Sequence, residues 1–203
     1  MAGHLYLLRH GATEWSLSGQ HTGRTDIPLT PGGEKRAAEA GAMLAGLRGD
    51  TPLAVVMSSP RVRALRTAEL AGLTVTDVTE ELAEWDYGDY EGLTTPQIRE
   101  TVPGWTVWTH PCPNGETAEQ VGARAHRVLA RVREHLAHGD VVLVGHGHFG
   151  RVLVATWLEL PPTEGVRFAL DAAAVSELGD ERGVPQIRRL NVPPLPERGF
   201  PNA

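Results

Sequence analysis

Three short apolar runs punctuate the chain: Leu5–Leu8 (LYLL), Leu53–Met57 (LAVVM) and Val141–Val144 (VVLV). Each is too short for a helix and lacks the polar alternation of a half-exposed strand, so each predicts a strand buried on both faces. Helical signals fill the intervals. Thr30-Pro31 reads as an N-cap followed by proline at the first helical position, opening a helix from about Pro31 to Leu47. Ser59-Pro60 repeats that signature and predicts a helix to about Ala71, followed by a shorter strand over Thr74–Val78. Thr117 and Gln120 have capping-box spacing. Beyond them Val121, Ala125, Val128, Leu129, Val132 and Leu136 form an apolar stripe at helical period that stops at Gly139. A further helix is expected from about Gly150 to Leu158, then strand-like stretches near Val166–Ala169, Ala173–Leu178 and Gln186–Leu190.

Two segments stand outside this rhythm. Ser16–Pro31 is rich in Gly, Thr and Ser and reads as a loop. Glu80–Gly115 is irregular, holds Trp85, Trp105 and Trp108, and accommodates a short helix near Pro96–Thr101. Its tryptophans, with Trp15 folding back from the first loop, serve either the core or the wall of a binding site. With no internal repeat or linker, residues 1–203 read as one domain with a Pro-rich tail from about residue 192. Strands alternating with helices predict a three-layer α/β/α sandwich with a mostly parallel central sheet.

Composition narrows the classes of function. Net charge is −6, with 19 Lys+Arg against 25 Asp+Glu, which argues against nucleic-acid or anionic-membrane partners. Lys35 is the single lysine, so nearly all positive charge is guanidinium. Cys112 is the only cysteine, which precludes an intrachain disulfide and points to a cytoplasmic setting. The first residues lack a secretory pattern, and no apolar run approaches a membrane span.

Ligands of parallel α/β sheets sit beyond the carboxyl ends of the strands. The first strand ends in Arg9-His10-Gly11, the second in Ser58-Ser59-Pro60-Arg61 at a helix start, and VVLV in Gly145-His146-Gly147. Three strand ends thus deliver two histidines and two arginines to one edge. Arginines beside a helix N-terminus suit a phosphate dianion. A histidine among them can attack phosphorus through one ring nitrogen while the other donates to a backbone carbonyl. Arginines and a second, protonated histidine can then carry the equatorial charge without Mg²⁺. Arg63 and Arg66 read as ordinary helix residues facing solvent or carboxylates, and His126, His135 and His138 as a solvated helix face. An acid for the leaving alkoxide is available in LAEWDYGDYEG. Glu84 is favoured because its neighbour Trp85 would raise a carboxyl pKa, although spacing leaves Asp86, Asp89 and Glu91 open.

LRHGATEW, GQHTGRTDIPLTPGG, SSPRVRALRTAE, LAEWDYGDYEG, NGET and VVLVGHGHFGRVL, in that order from Leu7 to about Leu153, resemble the histidine phosphatase superfamily, in its phosphoglycerate mutase-like branch. The resemblance implies a phosphoglycerate mutase-like fold and a phosphohistidine at His10. It also implies that Arg9, Arg61 and His146 hold the phosphoryl group and that Glu84 is the proton donor. Thr22 and Gly23 fall where the family's loop offers backbone contacts to substrate, Tyr87 at a substrate-side position, and Gly147 beside His146. Ser16 stands where the family usually has Asn, and Ala12 where Glu or Gln is common.

The resulting expectation is a phosphatase of small phosphomonoesters, sugar phosphates among them, that needs neither metal nor cofactor. A cofactor-dependent phosphoglycerate mutase is the first alternative. It is disfavoured because Glu91–Gly115 is short and carries only Arg99 and His110 as basic residues. A non-catalytic phosphate-binding domain and a zinc hydrolase using His10, His146 and His148 are the others. Fixed arginine charge argues against the zinc site. A homo-oligomer is compatible with the sequence.

Overall fold

The computed structural model describes residues 3–194. The buried runs form strands β1 (Leu5–Arg9), β2 (Leu53–Ser58) and β4 (Asp140–Gly145), with the two-residue β3 (Asp77–Val78) and the hairpin strands β5 (Val175–Glu181) and β6 (Val184–Val192). They build one six-stranded sheet in the order β3-β2-β4-β1-β5-β6. The four strands from β3 to β1 run parallel, while β5 and β6 add an antiparallel edge. The sheet is mostly parallel, as expected.

Helices cover both faces. On one, α2 (Pro31–Arg48) and α3 (Val62–Leu70) pack Ala40, Leu44, Ala64 and Ala68 on Tyr6, Leu8, Val56, Val142 and Val144. On the other, α5 (Ala118–His135) and α6 (Gly147–Trp157) bury Val121, Val128, Val132, Phe149 and Leu153 against Leu5, Leu7, Met57 and Leu143. Successive strand residues alternate between two dry layers, which is why the runs read as continuously apolar. The predicted caps form: Thr30 accepts from Gly33 N–H with Pro31 at the start of α2, and Thr117 and Gln120 make a reciprocal capping box.

Register positions the site. Arg9 pairs with Gly145, His10 N–H donates to the Gly145 carbonyl at 2.9 Å, and Ser59 N–H donates to the Val144 carbonyl at 3.0 Å. Three strand ends therefore stop level with one another. Gly11 and Gly33 let the chain leaving β1 lie against the first turn of α2. A Cβ on Gly11 would sit 2.4 Å from the Gly33 carbonyl oxygen, and one on Gly33 would sit 2.2 Å from that of Ala12.

Several boundaries differ from expectation. Helix α3 starts at Val62 with Arg61 as N-cap, and Ser59 turns its hydroxyl to Arg61 N–H instead of capping the helix. Helix α6 starts at Gly147, three residues early, because His146 takes the extended N-cap conformation. Val166–Ala169 is not a strand: the chain makes a 3-10 turn over Pro162–Arg167. A short helix α1 (Glu14–Ser18), with a Thr13/Ser16 capping box, occupies the start of the expected loop. The irregular segment holds α4 (Thr95–Thr101), close to its expected place. The tail lies outside the described residues beyond 194.

Candidate active site

A cleft of about 570 Å³ opens over the strand ends, with Arg9, His10, Glu84, Gly147, Arg151 and Asp171 among its lining residues. His10 is 5 % exposed, and its Nδ1–H donates to the Gly11 carbonyl at 2.7 Å. A carbonyl only accepts, so Nδ1 carries the hydrogen and Nε2 the lone pair. Burial, and then Arg9 and Arg63, hold the ring well below the usual histidine pKa; the Gly11 carbonyl acts in the opposite direction. His10 is thus a neutral imidazole with one committed nitrogen.

Arg9 donates to the Leu170 carbonyl, while its buried Nε has no partner among the described residues. Its guanidinium lies against Gly147, where an added Cβ would come within 3.3 Å of it. His146 is 2 % exposed and its ring centroid lies 5.2 Å from that of His10. Burial first, then Arg63, His10, Arg61 and Arg9, push its pKa well below the ordinary value. The expected protonated second histidine is therefore neutral in this structure: it is dry, and its charged neighbours are all cationic.

The two arginines of SSPRVR exchange their expected places. Arg63 is 0 % exposed. Its Nε faces His146 Nδ1 at 3.3 Å, and its other nitrogens donate to the carbonyls of Thr22, Gly23 and Thr25 at 2.8–3.1 Å. The solvent-facing role expected of Arg63 is corrected, because the first turn of α3 directs it inward beneath the strand ends. Arg61 pairs with the exposed Glu80 at 3.0 Å, although it remains near enough to act on His146. Arg66 does face carboxylates, Glu34 and Glu69.

Glu84 lines the cleft while its carboxylate accepts three backbone N–H bonds. Oε1 takes those of Trp85 (2.9 Å) and Phe149 (2.7 Å), and Oε2 that of His148 (3.0 Å). It caps α6 from another element, in the place His146 leaves vacant as N-cap. Its immediate partners are backbone amides, whereas the Trp85 indole reaches the Glu116 carbonyl. The neighbouring acids are engaged elsewhere: Asp86 with Arg24, Asp89 with Asn114, and Glu91 with the N–H groups of Gly23 and Thr25.

The candidate substrate contacts divide. Ser16, Thr22, Tyr87 and Gly147 line the cleft. Ser16 Oγ is already tied to Thr13 in the capping box. Gly23 does not line the cleft, and its N–H is taken by Glu91 at 2.9 and 3.0 Å. Tyr87 is buried, with its hydroxyl 2.6 Å from His148 Nδ1.

His21 and Arg151, which carry no role in the sequence reading, line the cleft, as does His148, named there only as a zinc ligand. Arg151 stacks on Trp108 at 4.6 Å, and the rings of His21 and His148 lie 6.0 Å apart. Among the described residues, no group of three or more His, Cys, Asp or Glu is placed to hold a metal ion. Of the histidines named in the zinc alternative, His146 has both ring nitrogens engaged, by Arg63 and Ser59, while His10 and His148 each have one engaged, by Gly11 and Tyr87.

An acid phosphatase of Mycobacterium tuberculosis is 51% identical over 193 residues, 95% of this chain and 94% of that protein. Sedoheptulose 1,7-bisphosphatase of Saccharomyces cerevisiae is 37% identical over 182 residues, covering 76% and 67%. A 2,3-bisphosphoglycerate-dependent phosphoglycerate mutase of a Chelativorans species is 32% identical over 203 residues, covering 94% of each chain. The solved structure of an open-reading-frame product from Mycobacterium tuberculosis superposes with a TM-score of 0.91 at 49% identity, covering 95% of this chain and 99% of that one. The model of the histidine phosphatase superfamily (branch 1) matches residues 5–193, and with these relatives it establishes that the chain belongs to that superfamily.

Proposed function

We propose that the chain is a phosphomonoesterase that works through a phosphohistidine at His10. The observation that carries this reading is the His10 Nδ1–H bond to the Gly11 carbonyl. It commits one nitrogen and leaves the Nε2 lone pair for attack, in the cleft that Arg9 also lines. In the first step Nε2 bonds to phosphorus and the ester P–O bond breaks, with its electron pair leaving on the alkoxide. Glu84, protonated, gives that alkoxide its proton. Oε2 is the oxygen suited to carry the proton, because it accepts one backbone N–H where Oε1 accepts two. In the second step Glu84 takes a proton from water, the water oxygen bonds to phosphorus, and the P–N electrons return to His10. Arg9 meets the charge on the phosphoryl oxygens.

Hydrolysis is favoured over mutase chemistry by the fate of the two basic residues in the middle segment. Arg99 donates to the Trp105 carbonyl at 2.8 Å and His110 bonds to Thr109, so each is engaged within its own segment. Substrates are small phosphomonoesters, with sugar phosphates the first class to try because the 37%-identical relative bears a sugar-bisphosphatase name. The test is phosphate release from sugar mono- and bisphosphates and from 3-phosphoglycerate, with EDTA present and His10→Ala as control. EDTA-resistant release, lost by at least about 10³-fold in His10→Ala, is expected. Undiminished turnover in that variant overturns the reading. Isomerisation of 3-phosphoglycerate on adding bisphosphoglycerate, without phosphate release, moves it to mutase.

A further inference from the structure

The steps above give no role to Ser59, whose buried hydroxyl lies behind the cleft lining against His146. Ser59 is fully buried at the end of β2, and its backbone N–H bond to the Val144 carbonyl sets its position relative to the strand that leads into His146. Ser59 Oγ lies 2.8 Å from His146 Nε2. On the other side of the ring, Arg63 Nε lies 3.3 Å from Nδ1. A guanidinium N–H only donates, so Nδ1 is the bare nitrogen and Nε2 carries the hydrogen, which Ser59 Oγ accepts. Arg61 N–H also points at Oγ, at 3.3 Å, which reinforces Oγ as an acceptor.

We propose that Ser59 is a positioning residue that locks His146 in its Nε2–H form and so makes Nδ1 the nitrogen that meets the transferring phosphoryl group. The proposal rests on the phosphoryl-transfer reading of this site. Arg63 holds Nδ1 until an anion enters. Then Nδ1 leaves Arg63, takes one proton from solution and donates it to a phosphoryl oxygen. The Nε2–H···Oγ bond is the same before and after, so Ser59 supports the imidazolium without moving. The charged and titratable groups acting on His146 are Arg63 from α3, Arg61 at its N-cap, and Arg9 and His10 from the end of β1. None is a carboxylate. The incoming phosphate thus supplies the negative charge that makes the proton favourable, which couples binding to proton uptake.

The experiment combines Ser59→Ala and Ser59→Thr with wild type. Phosphate binding is measured by calorimetry in two buffers of different ionisation enthalpy, and kcat/KM for p-nitrophenyl phosphate is followed from pH 4.5 to 8. Wild type should take up close to one proton per phosphate at about pH 8, where free phosphate is already the dianion. Ser59→Ala should lose more than half of that uptake and about 10–100-fold in kcat/KM, with the pH profile displaced to lower pH. Ser59→Thr, which keeps the hydroxyl, should recover most of both. Imidazole ¹⁵N shifts of wild-type His146 should report bare Nδ1 and protonated Nε2, a readout that needs no variant to fold. An Nδ1–H tautomer overturns the proposal. So do wild-type uptake and turnover in Ser59→Ala, or equal losses in both variants with an unchanged pH profile. His10→Ala separates the two readings: activity surviving there removes the phosphohistidine, whereas the His146 tautomer and the proton uptake are properties of Ser59 and stay measurable.

Discussion

Arg61 and Arg63 are two positions apart in one motif and have opposite surroundings. Arg61 sits at the N-cap of α3 and pairs with Glu80, whose side chain is 69 % exposed. Screening leaves such a pair with little energetic weight. Arg63 is buried, with four protein acceptors around its guanidinium. Its removal would leave three loop carbonyls without a donor and His146 Nδ1 without its partner, and such losses are expensive in a dry site. We expect Arg63→Ala to lower kcat/KM by at least about 10²-fold. The loss for Arg61→Ala should be at least tenfold smaller, as measured on p-nitrophenyl phosphate with both variants verified by circular dichroism. The reverse order would return Arg61 to the primary role the motif suggested. The motif pointed to Arg61 and left Arg63 to the helix surface. The two side chains face opposite ways because two residues rotate an α-helix by about 200°, and which of them turns inward depends on where the helix starts.

Elements are joined at this site through charged caps that come from elsewhere in the chain. Glu84 caps α6, and Glu91 accepts the N–H groups of Gly23 and Thr25 while Arg63 takes carbonyls of the same loop. Residues 22–25 are thus held by an anion on their donors and a cation on their acceptors. Glu91→Ala removes the anion that holds the loop's N–H donors and is expected to cost about 1–3 kcal/mol. It should also raise KM more than it lowers kcat, since the loop borders the cleft without reaching His10. Thermal unfolding and steady-state kinetics check both, and an unchanged KM would show that Arg63 alone fixes the loop. The local caps of α2 and α5 were legible because their partners lie three residues away. The caps from Glu84 and Glu91 were not, since their partners lie more than sixty residues distant.

Across the whole molecule, four imidazoles are held neutral. Burial brings His21 down to about 4, against a smaller opposing influence of Glu91, and holds His10, His146 and His148 well below the ordinary value. Below the unfolded value of about 6.5 the unfolded chain binds protons that the folded chain refuses. The associated stability is therefore complete above that pH and is lost as pH falls from about 6.5 towards 4. Each group contributes a slope of up to about 1.4 kcal/mol per pH unit. Tm should fall between pH 7.5 and 5, and inorganic phosphate should reduce the fall because its binding favours the protonated site. A Tm independent of pH over that interval, with or without phosphate, would contradict a neutral histidine cluster.

The sequence by itself determined the sandwich, its parallel centre, and the arrival of Arg9, His10 and His146 at one edge. These depend on local signals: buried runs, caps, and strand ends whose chemistry can be read within a few residues. Family membership followed from motifs of the same short range. Tertiary structure decided which arginine turns inward, that His146 is neutral and faces Arg63 and Ser59, that Glu84 rests on the amides of α6, and that His21, His148 and Arg151 wall the cleft. The physical reason is common to all of these. Side-chain direction, burial and protonation depend on groups distant in sequence, and only the packed register of β1, β2 and β4 brings those groups within bonding distance.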